Sequence, residues 1–329
     1  MMTNKYIPCW IFLYLLSFQA HSSCADIKVD HQRLECYDQL SKGGLELSDN
    51  ADQSVTSKSE AKAFNLTTMD SSEIVSYFND RKVFQLTPHY PNYILPLSYN
   101  ERPNEEAFEE FAPGAELDRF EVKFQISGRL KLLDDIYRDN WDIWFGYTQT
   151  AWWQLYNSDE SAPFRETNYS PEIFASYYSD VDILGFKLVM TDIGLIHQSN
   201  GRSELLSRSW NRLYANFQFT RDDFYLSIQP WYRIPESDED DDNPNIEDYM
   251  GYGNYRLTYK DEGTLYSLLL RNNLKFDDNK GGIELSLAFP VYDIVKLYLQ
   301  YYNGYGESLI DYDHYVNRIS LGILIYEWL

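Results

Sequence analysis

Phe120-Glu121-Val122-Lys123-Phe124-Gln125-Ile126-Ser127 alternates apolar and polar residues without a break. Successive side chains of a strand leave on opposite faces, so Phe120, Val122, Phe124 and Ile126 share one face and their polar neighbours the other. A helix would scatter those four residues around its axis. The same period of two recurs from about Tyr93 onward. It predicts twelve strands, at about 93–99, 120–132, 142–153, 171–179, 186–196, 210–220, 224–232, 251–260, 264–275, 281–289, 295–303 and 318–326. The connections alternate between short ones (133–141, 180–185, 221–223, 261–263, 290–294) and long ones (100–119, 154–170, 197–209, 233–250, 304–317), with 276–280 out of step. Strands near ten residues long, with short turns at one end and long loops at the other, predict an all-β fold: a twelve-stranded antiparallel transmembrane β-barrel. Its outer wall faces lipid and its inner wall is polar. A soluble sandwich or lipocalin-like barrel also alternates, but does not account for the aromatic content and the loop pattern together.

The 329 residues include Tyr 29, Phe 18 and Trp 8, yet the mean hydropathy is only −0.49. Rings placed at a boundary between oil and water reconcile the two. Trp152, Trp153, Trp210, Trp231 and Trp328 stand near expected strand ends and read as such a girdle. Lys+Arg 28 against Asp+Glu 51 leaves a net charge of −23, which repels a phosphate backbone and excludes nucleic acid as a partner.

Residues 1–22 carry Lys5, an apolar run from Tyr6 to Phe18 and small residues after it, the layout of a secretory signal peptide. The apolar run is too short for a spanning helix. Residues 23–85 read as a periplasmic appendage: a short helical pattern over Asp30–Leu40, then a Ser/Asp/Lys-rich tether over Ser41–Ser59. Cys24 and Cys36 would face an oxidising compartment, where a disulfide between them is open. The barrel is assigned to 86–329.

Gly194-Leu195-Ile196-His197-Gln198-Ser199-Asn200-Gly201-Arg202-Ser203 lies where an expected strand runs into a long loop. His197 and Ser199 are two apart and emerge on one face, a requirement for an imidazole to take a proton from a serine hydroxyl. An antiparallel return through Ser209-Trp210-Asn211-Arg212 brings Asn211 beside them, where its amide could hold the imidazole in the productive tautomer. The Gly-x-Ser-x-Gly elbow of soluble hydrolases is absent. Ser-Asn-Gly is also a common turn, so the residues alone leave a non-enzymatic channel or structural barrel open beside a hydrolase. Glu236-Ser237-Asp238-Glu239-Asp240-Asp241-Asp242 and Glu247-Asp248 place eight carboxylates within 13 residues, without the spacing or glycine of an EF-hand. This run reads as a solvated loop.

Five blocks carry a resemblance: Trp152-Trp153-Gln154-Leu155, Pro163-Phe164-Arg165-Glu166-Thr167-Asn168-Tyr169, the run from His197 to Asn211, Tyr249-Met250-Gly251-Tyr252, and Gly304 through Tyr312. Over roughly residues 85–329 the chain resembles the outer-membrane phospholipase A family of Gram-negative bacteria. The resemblance implies a calcium-dependent serine hydrolase that cleaves acyl esters of phospholipids (A1 and A2 activity) and of lysophospholipids in the outer membrane. It further implies activity as a homodimer, with the active site on the lipid-facing wall near the extracellular rim. Carried over position by position, Ser199 is the nucleophile, His197 the general base and Asn211 its orienting residue. Gly201 supplies an oxyanion N–H, and Ca2+ is held by the carbonyl of Arg202, the hydroxyl of Ser207 and the carbonyl of the partner subunit's Ser161. Gln149 matches the family's interfacial glutamine.

Overall fold

The computed structural model describes residues 81–109, 114, 116–137, 140–237, 239, 241–292 and 295–326, all within one unit, Glu60–Leu329. The signal segment, the appendage up to residue 80, the Cys24–Cys36 pair and Trp328 lie outside the described residues. The strands are β1 (Leu86–Pro88), β2 (Asn92–Asn100), β3 (Phe120–Leu133), β4 (Trp141–Trp153), β5 (Phe164–Ile183), β6 (Phe186–Ser199), β7 (Ser209–Arg221), β8 (Phe224–Ile234), β9 (Gly253–Asp261), β10 (Thr264–Asn272), β11 (Gly281–Tyr292), β12 (Val295–Gly304) and β13 (Val316–Tyr326). From β2 to β13 each strand pairs antiparallel with the next, and β13 returns to β2, closing a barrel of twelve staves. β1 and β2 both pair with β3 and form one interrupted stave. At the interruption the Asn92 side chain stands in for the missing strand: Nδ2 donates to the Ser127 carbonyl at 2.9 Å and Oδ1 accepts from the Ser127 N–H at 2.7 Å. The described helices are α1 (Glu106–Glu109) and α2 (Ile246–Met250), both in loops, and neither is long or apolar enough to cross a membrane.

The short end is turned by Leu184–Gly185 and Glu262–Gly263, whose φ values of 55°, 82°, 46° and 85° suit tight hairpins between twisted strands. Several expected boundaries move: β5 runs on to Ile183 rather than 179, and β6 to Ser199 rather than 196. β10 stops at Asn272 rather than 275, because Leu274 has φ 56° and Asn273 gathers the loop by donating to the carbonyls of Asp248 and Asp278. The 273–280 connection therefore joins the long end, and the loop alternation has no exception. β5 starts at Phe164 rather than 171, since Arg165, Glu166, Asn168 and Ser170 are lumen-facing residues whose polarity resembles that of a loop.

Parity divides each strand between two solvents. On β6, Ile193 and Leu195 are 47 % and 48 % exposed on the outer wall, while Asp192 and Gly194 are buried. The lumen is lined with charge. Arg165 bonds Glu121 at 3.0 Å and Asp311 at 2.8 Å; Arg318 bonds Glu121 at 2.6 Å and Glu307 at 2.7 Å; Lys123 bonds Glu307 at 2.9 Å. The side chains of these three cations and three carboxylates are all buried and tie β3, β5, β13 and the 305–315 loop together across the interior. Three of the expected girdle tryptophans belong here too. Trp152, Trp210 and Trp231 are buried, with Lys123 over Trp152 and Arg212 over both Trp210 (3.9 Å) and Trp231 (4.9 Å). Their even or odd place on the strand, not nearness to its end, decides the side they take. Leu309, Ile310 and Tyr312 fold inward at the long-loop end. A lumen cavity of about 180 Å³ remains, bordered by Tyr90, Lys123, Arg212, Arg271, Glu284 and Tyr302.

Burial alone would raise the Asp311 carboxyl, but Arg165, aided by bonds from Ser308 and Asn104, holds it below the usual carboxylate range. A depressed folded-state pKa contributes stability above the unfolded value, and that stability is lost as pH falls through the folded one. Arg165→Met is expected to cost about 3–5 kcal/mol near neutral pH, read from urea unfolding in detergent micelles. The difference from the unsubstituted protein should shrink in acid, where Asp311 takes up its proton.

Candidate active site

His197 and Asn211 are direct cross-strand partners in the β6–β7 ladder. Opposed residues on one face of such a pair have Cβ atoms about 5 Å apart, which puts an imidazole and an amide in reach of each other. His197 Nδ1 and Asn211 Oδ1 are 2.9 Å apart. Ser199 follows on the same outer face and ends β6. Leu213, 45 % exposed, continues that face along β7, so the three polar residues adjoin the apolar outer wall. Among the described residues, Ser199 Oγ has no hydrogen bond. It and the imidazole share a face without being joined.

The lumen side of the same segment is locked. Gln198 Oε1 accepts from Trp210 Nε1 at 2.9 Å and from Arg212 Nη2 at 3.0 Å. Asn200, buried, gathers the following loop: Oδ1 accepts from the backbone N–H of Arg202 and Arg208, and Nδ2 donates to the Leu206 carbonyl at 2.8 Å. The two ends of the 200–208 arch are thereby drawn together, which brings Arg202 and Ser207 toward one another. The Arg202 side chain turns back to β5, where Nη2 bonds the Arg165 carbonyl at 2.5 Å. Gly201 has φ 65°, and a Cβ there would sit 3.0 Å from the Tyr169 ring.

Gln149, Tyr169, Ser199 and Ser209 lie opposite one another in one row across β4, β5, β6 and β7. Gln149 has the parity of the exposed Phe145 and Tyr147, and accepts from Tyr147 Oη at 3.1 Å. It is therefore on the outer wall, two strand spacings or about 10 Å from the Ser199 position. Ser161, exposed with φ 60°, is on the β4–β5 loop at the same end. It makes no hydrogen bond to Arg202 or Ser207 among the described residues.

Two residues escaped the sequence reading. Glu236 Oε1 accepts from Asn211 Nδ2 at 2.7 Å, and Asp242 Oδ2 accepts from Ser207 Oγ at 2.5 Å. Asp241 pairs with Arg233 at 2.6 Å. Part of the acidic run is thus folded onto the site rather than free in solvent. The only signal was its place directly after β8, the strand that pairs with Asn211.

A family model described as Phospholipase A1 matches residues 73–325. Phospholipase A1 of Proteus vulgaris is 38 % identical over 242 residues, spanning 74 % of this chain and 82 % of the relative. The Salmonella typhi outer membrane phospholipase, solved as a dimer with bound calcium, superposes with a TM-score of 0.73 at 36 % identity, over 79 % of this chain and 99 % of that one. An active-site mutant of Escherichia coli outer membrane phospholipase A, an asparagine replaced by alanine, gives 0.71 at 36 % identity, over 77 % and 97 %. With a closed barrel of the same architecture and a match over most of its length, the chain belongs to the phospholipase A1 family, whose enzymes hydrolyse phospholipid esters.

Proposed function

We propose that this phospholipase is a calcium-dependent serine hydrolase working from the outer wall of the barrel, in the outer membrane, as a dimer. The observation that carries the reading is the 2.9 Å contact between His197 Nδ1 and Asn211 Oδ1, with Ser199 on the same lipid-facing side. His197 Nε2 takes the Ser199 proton as Oγ attacks the ester carbonyl, then returns it to the leaving alcohol. Water releases the fatty acid from Ser199 by the same route in reverse. Asn211 holds the ring, a role supported by the fact that an asparagine is the residue replaced in the Escherichia coli active-site mutant. The backbone N–H of Gly201 binds the oxyanion, a role that suits its left-handed conformation.

Calcium prefers hard oxygen donors. The arch gathered by Asn200 offers the Arg202 carbonyl and the Ser207 hydroxyl, and Asp242 already brings a carboxylate to that hydroxyl, so the donor set fits. Ca2+ bound there supplies charge stabilisation to the oxyanion. Ser161 lends its carbonyl to the site of a second copy, a role that its exposure at the same end of the barrel supports. Gln149 supports the dimer, since lipid satisfies neither end of its amide and a second Gln149 satisfies both. The same site accepts lysophospholipid, acts on either acyl position and faces the extracellular side, a reading that the long loops at this end support. The lumen favours this reading over a channel, because paired charges and inward-folded loops fill it.

Fatty-acid release from mixed phospholipid–detergent micelles should require calcium, stop with EDTA and fall by at least about 1,000-fold in Ser199→Ala. Release that ignores both changes would refute the assignment. Gly201→Ala should lower the rate about tenfold or more by shifting the backbone N–H, while costing no more than about 1–2 kcal/mol of stability through backbone strain. Unchanged turnover would remove Gly201 from the oxyanion site.

A further inference from the structure

We propose that Glu236 is a positioning residue of this active site: it fixes which way the Asn211 amide faces, and through the amide which nitrogen of His197 carries the proton. The inference rests on the Ser199–His197–Asn211 reading and deepens it.

An amide presents a donor end and an acceptor end of nearly the same shape, and either could face an imidazole. An ionised carboxylate only accepts. With Glu236 Oε1 2.7 Å from Asn211 Nδ2, the amino end is committed to Glu236 and the carbonyl end to His197, 2.9 Å away. An oxygen at that distance accepts, so Nδ1 holds the proton and Nε2 is left bare on the Ser199 side. The opposite amide orientation would oppose two oxygens at Glu236 and donate to Nδ1. The proton would then sit on Nε2, where the imidazole is no base for serine.

The placement follows from register. Asn211 pairs with Ile234, the last residue of β8, and Glu236 comes two residues later, beyond Pro235, whose ring restricts the backbone. Glu236 is half-buried, and its Oε2 is shielded from solvent with no hydrogen-bond partner among the described residues. The charge is therefore kept at the amide rather than dispersed in water. Neighbouring carboxylates have other tasks: Asp241 pairs with Arg233 and Asp242 accepts from Ser207. Glu236 is the acidic-run residue that touches the Asn211 side chain among the described residues.

The test combines tautomer and rate in the full-length dimer in calcium-containing micelles. Nitrogen-15 shifts of the His197 ring should report Nδ1–H in the unsubstituted protein and a shift toward Nε2–H in Glu236→Ala. The kcat for phospholipid should fall about 10–100-fold in that variant, the usual range for removing a residue that orients a histidine from behind. KM should stay within about twofold, because ground-state lipid binding is untouched. Asn211→Asp alone sets two carboxylates against each other and should be poorly active. Adding Glu236→Gln supplies a donor to the new carboxylate and should recover about tenfold or more, which a merely structural role for Glu236 does not predict. An unchanged tautomer and kcat in Glu236→Ala, or a double variant no better than Asn211→Asp, would overturn the proposal. Hydrolysis that survives Ser199→Ala would instead overturn the triad, and the tautomer would still decide whether Glu236 orients Asn211.

Discussion

The antiparallel register of β6 on β7 sets His197 opposite Asn211, and the geometry of the site depends on it. Side chains in a strand have only two directions, so a slip of one residue would send His197 into the lumen and turn Gln198 to the lipid. The register is held from inside, where Gln198 takes hydrogen bonds from Trp210 and Arg212. On the outside the hydrocarbon offers no partner for a polar group. His197, Asn211 and Glu236 answer this by bonding in series, each donor meeting an acceptor. Ser199, at the end of the strand, is the member that the proposed reaction leaves to meet a substrate.

The buried ion pairs of the lumen tie the wall together behind that site. Removing charges from water is costly, and the interior offsets that cost by matching three cations to three carboxylates across strands that are not all neighbours. Two of those carboxylates, Glu307 and Asp311, come from the loop between β12 and β13, so the plug and the wall share one network. The same loop reaches β5 through the Leu309 N–H on Asn168 and the Ile310 N–H on Glu166. Glu166 also faces the Arg202 side chain at 3.4 Å, which links the plug to the arch beside Ser199. The proposed site is on the outside of a barrel whose inside is crossed by these bonds.

Period-two alternation made the barrel legible, because the contrast between lipid and lumen is written into every other residue of strands such as Phe120–Leu133. It failed where the contrast fades. Residues 164–170 continue β5 above the apolar band, and their charged lumen face looked like a loop. Trp152, Trp210 and Trp231 were misplaced for a related reason: an indole stacked under a guanidinium or ammonium is as well housed in a polar lumen as at a membrane surface. The pairing of His197 with Asn211, and Ser199 on the same face, was legible from spacing plus the antiparallel return. Glu236 and Asp242 were not, since dense like charge conceals which carboxylates meet a donor. Only the register of β7 on β8 selects Glu236 from its neighbours.

The central claim is that the outward-facing serine at the end of β6 is the group that bears the acyl chain during turnover. It is tested most directly by treating the calcium-loaded protein in micelles with an alkyl fluorophosphonate, digesting it and locating the adduct by mass spectrometry. The account predicts one modification, on Ser199, that tracks the loss of phospholipase activity and is suppressed by His197→Ala. An adduct on another residue that accounts for the lost activity, or full inactivation with Ser199 unmodified, would contradict it.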